Sequence, residues 1–410
     1  KFEMFHLTQE YAQKTTTELE PMDERGAILS HEPGMGFLQR GTVGISVLTD
    51  LEEVAELQEV WKRLLSEDAA PFSCYDWVMA WYRCFADECD EILVFVATRP
   101  GEVIAIFPCY RKGRKIRLAG DITCDYQDAI AANKDDAAIA LTRIIEWLGE
   151  KRRNRELYFQ KVSNRGLLGQ GLLSCQSADI TNLFFRKKLM PCPCVQLPGS
   201  VEEYLQTLPR KSRSEFRRVV NRLDREMPGA VIEILDKETI VGEHLKKASD
   251  FHVNHFRKKG ESPLADPRLV SLLNSVALSD DVGLRVSWMR EGDSLMVVDF
   301  AFCRGGTFYG YLTDFDEAYS KLSPGRCLFI KRIDYWIQQE GINRIDLLGG
   351  GENYKKGYTE GDKYRVDTVR IMPGSLWNRI RWSFLNVDKS TRKGVKTLIK
   401  RWGRFKAGQK

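Results

Sequence analysis

Four side chains in the second half of the sequence suit the movement of protons: His252, Asp299, Tyr311 and Tyr319. An imidazole titrates near neutrality, which fits His252 to act as a base. A carboxylate at Asp299 would orient an incoming group or assist that base, and a phenol at Tyr311 or Tyr319 would return a proton to a departing group. Close behind stands Ser323-Pro324-Gly325-Arg326-Cys327. Serine is a favoured N-cap and proline is tolerated in a first helical turn, so a helix is expected to start here. The backbone N–H groups of Gly325, Arg326 and Cys327 would then be unpaired and converge on one point, which suits a pyrophosphate. Together these groups offer a base, an orienting carboxylate, a proton donor and a turn that suits an anion. Each group also has an ordinary reading: a capped helix, a strand aspartate bonded to backbone, a buried polar histidine, tyrosines packed with hydroxyls at an edge.

Holding those residues requires a strand, a turn, a helix and a second strand. Thr307 to Asp316 mixes aromatic and β-branched residues as a strand does, and Glu317 to Leu322 leads into the Ser-Pro-Gly turn. Leu328, Ile330, Ile333 and Trp336 then recur at helical spacing, Gly341 closes the helix, and INRIDLLGG reads as the next strand. Tyr354 and Lys355 follow at once, and Lys355 suits a phosphate or carboxylate. Thr239 to Phe256 reads as a helix carrying His252 and His255, but no third ligand is evident, so no metal is expected. The helix from Pro209 to Arg225 is basic on more than one face and admits three readings: solvated charge, a phosphate clamp, or a nucleic-acid contact.

The first half reads as the same kind of unit. Gly44 to Leu48 is a strand, Leu51 to Leu65 a helix capped by Asp50, and the large rings between Phe72 and Phe85 are core. A hairpin over Ile92 to Tyr110 is followed by a polar turn-like segment, Gly120 to Asp128, that includes Asp125 and Tyr126. A helix over Asp136 to Gly149 and a strand over Arg155 to Val162 complete an α/β unit without a Ser-Pro-Gly turn.

These motifs resemble the GNAT-like acyltransferases of the CelD/BcsL type, also called BioF2-like, which are related in fold to the FemAB peptidyltransferases. The resemblance is carried by Pro71-Phe72, Trp77, Trp81, Pro108, Asp125-Tyr126, Phe251-His252, Phe256, Gly260, Asp299 to Phe302, Tyr309 to Tyr311, Ser323-Pro324-Gly325 and Asp346 to Gly349 through Tyr354-Lys355. It implies an α/β (α+β) fold of tandem GNAT-like domains, with mixed, mostly antiparallel sheets flanked by helices. The expected division is an extension over 1–40, a first GNAT-like domain over 41–190 lacking the coenzyme loop, an acyltransferase domain over 191–375, and a basic tail over 376–410. The resemblance further implies acetyl-CoA or another acyl-CoA as donor, held by Ser323, Gly325, Arg326, Cys327 and Lys355. The acceptor would be a small molecule or amino sugar of polysaccharide biosynthesis, met by Asp125, Tyr126, Tyr309 and Tyr354. A FemAB-like transferase using aminoacyl-tRNA and a non-catalytic subunit of a synthase assembly are the alternatives.

At 410 residues the chain exceeds one ordinary core. The formal net charge of +5 is too modest to imply nucleic-acid binding by itself. Ten cysteines lack paired metal spacing and, with no signal peptide at the front, read as reduced thiols of a cytoplasmic protein. No apolar run reaches the length that crosses a bilayer. From Trp377 onward Lys and Arg accompany tryptophans with a single acid, Asp388, a composition suited to an anionic membrane surface or a synthase complex.

Overall fold

A computed structural model describes residues 43–151, 155–175, 183–257, 260–350, 355–359 and 363–372. The expected extension over 1–40, the basic tail over 376–410 and the substrate role of Tyr354 lie outside the described residues.

The first unit runs β1 (Gly44–Leu48), α1 (Leu51–Ala55), α2 (Gln58–Leu64), α3 (Tyr75–Cys84), β2 (Glu91–Arg99), β3 (Glu102–Lys112), β4 (Lys115–Leu118), β5 (Ile130–Ala131), α4 (Lys134–Lys151), β6 (Glu156–Ser163) and α5 (Leu167–Cys175). The second runs β7 (Leu183–Gln196), α6 (Val201–Thr207), α7 (Arg210–Glu226), β8 (Ala230–Leu235), α8 (Gly242–Phe256), α9 (Pro267–Val276), β9 (Leu284–Glu291), β10 (Ser294–Arg304), β11 (Thr307–Phe315), α10 (Pro324–Gln339), β12 (Arg344–Asp346) and β13 (Lys363–Met372).

All thirteen described strands join one sheet, in the order β1-β2-β3-β4-β6-β13-β7-β12-β11-β10-β9-β8, with β5 on β3. The pairing is antiparallel except at two places, β4 with β6 and β11 with β12. A parallel pair requires a crossover, and each has a helix in it: α4 in the first unit and α10 in the second. The tandem arrangement is therefore visible in the ladder itself. Strand β13 lies between β6 and β7, and β7 runs through residue 190, where the sequence suggested a boundary.

Strand β2 is apolar on both faces, as a strand covered twice must be. Val94 and Val96 pack into the cluster with α3, α8 and α9, whereas Leu93, Phe95 and Ala97 pack under α4. The second unit repeats this, with Val298, Phe300 and Phe302 toward α3, α8 and α9, and Ala301 and Phe308 toward α6, α7 and α10. Trp61, Trp77, Trp81 and Trp336 are among the largest fully buried side chains. Fully burying a ring of that size stabilises a fold by roughly 2–3 kcal/mol. No helix among the described residues is long and apolar enough to cross a membrane.

Candidate active site

The site lies where β11 and β12 part. Their parallel register holds for Thr307 with Arg344, Phe308 with Ile345 and Tyr309 with Asp346; then β12 ends while β11 continues to Phe315. On its other side β11 pairs with β10, and the register slips between Ala301, which faces Gly310, and Phe300, which faces Leu312. Tyr311 is the extra residue of that bulge. Bulges re-aim side chains and interrupt pairing beside functional sites.

From β11 a short 3-10 turn over Glu317–Leu322 leads to Ser323 and then to α10. Here the sequence expectation needs correction. Ser323 has left-handed backbone angles, φ 51 and ψ 55, and its side chain caps nothing. Its N–H closes the preceding turn on Ser320 O at 3.1 Å, and its carbonyl accepts from Arg326 N at 3.0 Å and Cys327 N at 3.1 Å. One residue thus ends one helix and starts the next, and the left-handed conformation is that of a helix C-terminus. Two of the three nitrogens expected to be bare are bonded within the helix. Gly325 N–H alone keeps no acceptor among the described residues, and a Cβ at Gly325 would meet nothing within 4 Å. The Arg326 guanidinium is engaged by Glu215 of α7.

The other wall comes from the first unit. Tyr126 donates to both carboxylate oxygens of Asp346, at 2.8 and 2.9 Å, and Leu348 N donates to the same carboxylate at 2.8 Å. Leu348 does so from a left-handed φ of 55, a strained conformation for a buried leucine. Burial pushes the Asp346 carboxyl up to about 6, against the lowering effect of Leu348 N–H, Tyr126 and Cys194. Tyr311 reaches in the opposite direction, its hydroxyl donating to Thr123 O at 2.6 Å. Burial raises the Tyr311 phenol well above its usual value, so it stays protonated.

Between Thr123 and Tyr126, Asp125 stands over Gly349, where an added Cβ would lie 3.6 Å from its carboxylate. Lys161 braces this segment, with Nζ 2.6 Å from Cys124 O and 3.5 Å from Asp125. Its own φ is 55, in the middle of β6. Lys355 is buried and donates to Gly349 O at 3.1 Å.

Tyr126 and Tyr309 lie against Asp346, Asp125 and Lys355 meet the chain at Gly349, and Tyr311 reaches Thr123. The structure places two predicted catalytic groups differently. Asp299 is buried between the Thr313 hydroxyl and the Arg332 guanidinium of α10, the latter at 2.9 Å. His252 is buried on α8 with Nδ1 2.9 Å from Ser262 Oγ and its ring stacked on Phe256. Asp346 stands in the Asp346 to Gly349 motif of the sequence without a site role assigned to it, and Lys161 and Glu215 had none either. Asp346 and Tyr126 lie 220 positions apart, and no local pattern joins them.

A strand–helix–strand crossover whose strands part beside a bulge and an open helix N-terminus is the geometry of a GNAT fold. Residues 210–356 match the family model described as an acetyltransferase (GNAT) domain. Residues 210–356 of the second unit are thus a GNAT-type acyltransferase domain, and over the rest of the chain the likeness to known proteins is one of fold. Among solved structures it is similar to FemX, with 10% identity and a TM-score of 0.53 over 80% of this chain and 96% of that one. A conserved protein of unknown function from Bacteroides thetaiotaomicron VPI-5482 matches at 11% identity and TM-score 0.52, covering 80% of this chain and 100% of that one. The C-terminal domain of a protein described as a lysylphosphatidylglycerol synthetase from Agrobacterium fabrum matches at 13% and 0.50, covering 78% and 92%. At these identities the likeness is one of fold. No curated protein sequence matches.

Proposed function

We propose that this protein transfers an acyl group from coenzyme A to an amine, and that the reaction takes place in the seam between its two units. The observation that carries the reading is the buried Asp346 at the mouth of the parting strands, with a carboxyl pushed up to about 6 and held by Tyr126 from the other unit. A base with a pKa near 6 is ionised at neutral pH yet takes a proton readily, so Asp346 suits the removal of a proton from an attacking amine.

Acyl-CoA fits the residues present. Gly325 offers an N–H without an acceptor among the described residues and a Cβ position with nothing within 4 Å, and Arg326 adds a cation. When bound, the coenzyme supplies a thioester carbonyl as the electrophile. The chain then has three tasks. Gly325 N–H and Arg326 hold phosphate; the backbone of the Gly310-Tyr311 bulge faces the carbonyl; Asp346 takes the proton from the amine. Tyr311, at the bulge, is the phenol we assign to the departing thiolate once its hydroxyl leaves Thr123 O, and Asp125 orients the acceptor from above Gly349. The acceptor class we propose is an amino sugar or related polysaccharide precursor, on the resemblance given above.

The first unit has no second donor site on this reading. Asn133 caps α4 by accepting from Asp135 N and Asp136 N at 3.0 and 2.9 Å, and both aspartates put negative charge where an anion would sit.

Calorimetry with acetyl-CoA tests the donor site. Binding by wild type and its loss in Gly325→Asp is the expected result, and unchanged binding in the variant overturns the loop assignment. The aminoacyl-tRNA reading is favoured by one observation: Arg210, Lys211, Arg213 and Arg218 on α7 have no ion-pair partner among the described residues. Steeply salt-dependent tRNA binding without coenzyme A affinity would select it.

A further inference from the structure

Helix α7 carries six cations between Arg210 and Arg222, namely Arg210, Lys211, Arg213, Arg217, Arg218 and Arg222, and one acid, Glu215. An acid so placed would be expected to serve its own helix, where Lys211 and Arg218 stand at helical neighbour positions. It does not. Glu215 points across to Arg326 in the first turn of α10, and the two form an ion pair with side chains 37% and 27% exposed. Arg326 also borders Gly357, whose added Cβ would lie 3.9 Å from Nη2. One position before Arg326, Gly325 keeps an N–H without an acceptor among the described residues, and a Cβ added there would meet nothing within 4 Å. The first turn of α7 adds to the imbalance, with three cations and no acid at an end where the helix dipole is already positive.

We infer that Glu215 is an internal stand-in for a donor phosphate: it neutralises Arg326 in the free protein and is displaced when the phosphate of a coenzyme A-like donor arrives. This rests on the reading of the Gly325 corner as the donor site. Both side chains are exposed enough to separate without burying a bare charge, and the surrounding cations receive the second negative charge. Glu215 is thereby a specificity-determining residue. A donor group must carry enough negative charge to outcompete a carboxylate already in place, so neutral or singly charged groups are rejected.

The test is calorimetric titration of coenzyme A into wild type, Glu215→Gln, Arg326→Gln and the double variant. Removing the competing carboxylate should tighten binding about fivefold to tenfold, the scale of one like charge at the partly exposed separation involved. Arg326→Gln should weaken it, and in the double variant the Glu215→Gln gain should vanish, because the carboxylate acts through Arg326. Binding to wild type with no change in Glu215→Gln, or an equal gain with and without Arg326, overturns the role of Glu215 and leaves the donor site standing. Failure of both wild type and Glu215→Gln to bind coenzyme A overturns the donor site and this inference with it.

Discussion

Asp346 owes its basicity to where it sits. The carboxyl is nearly inaccessible, which favours its protonated form, and three donors pull the other way: Leu348 N–H, the Tyr126 hydroxyl and the Cys194 thiol. Two measurable outcomes follow at this scale. Asp346→Asn should lower kcat/KM about 10²–10⁴-fold if the carboxylate is the general base, read by thiol release from acyl-CoA. In wild type, activity should fall as pH drops through about 6, where Asp346 gains its proton. Tyr126→Phe removes a donor that favours the ionised form, so this acidic limb should move to higher pH. A linkage follows with its own sign. Because folding raises the Asp346 pKa, its contribution to stability is full below the unfolded carboxyl value of about 4 and is lost as pH rises through about 6. Asp128, whose carboxyl burial also pushes up to about 6, acts in the same direction from the N-terminus of α5. The stability advantage of wild type over Asp346→Asn, followed by denaturant unfolding, should therefore shrink between those pH values. Tyr126 and Asp125 are legible in a short turn motif and Asp346 in the Asp346 to Gly349 motif, but the bond between them is not, because the partners belong to different units.

Among the elements, α10 shows how much local patterning reveals. Its apolar face and its start after a proline were legible, and so was the strand on either side. The signal that was overlooked is Arg332. Leu328, Arg332 and Trp336 recur four apart, so the spacing that buries the leucine and tryptophan also buries the arginine, and a buried cation requires a partner. That partner is Asp299, at 2.9 Å, with Arg332 also lying over Trp336 at 4.5 Å. The aspartate predicted for chemistry is paired across to α10 and ties that helix to β10. Arg332→Met should cost about 3–5 kcal/mol by denaturant unfolding, since it strands a buried carboxylate, and adding Asp299→Asn should recover part of the loss. Ser323 departs from the expected N-cap for a related reason. Its type announced an N-cap, whereas the turn before it needed a left-handed residue to end on, and the tertiary path decided.

Over the whole molecule, the two units are joined by more than a linker. Arg268 of α9 holds Asp87 of the first unit at 2.6 Å while stacking over Phe85, and Arg304 of β10 donates to the carbonyls of Ser66, Glu67 and Ala69. Helices α3 and α9 lie in one hydrophobic cluster that takes side chains from both halves of the sheet. The duplicated α/β pattern was readable from sequence, but the shared core was not, because hydrophobic periodicity states which face is buried without saying against what. Calorimetric unfolding should accordingly show one transition, with no separate melting of the first unit.

Strand β13 comes last among the described strands yet is flanked by β6 and β7, made some 170 to 200 residues earlier. On the ribosome, then, a long stretch of nascent polypeptide waits with the middle of its sheet open and two strand edges exposed. Such edges invite wrong partners. Cells making this protein would be expected to shield the growing chain until β13 emerges, and protease added to stalled chains ending before residue 363 should cut within both units.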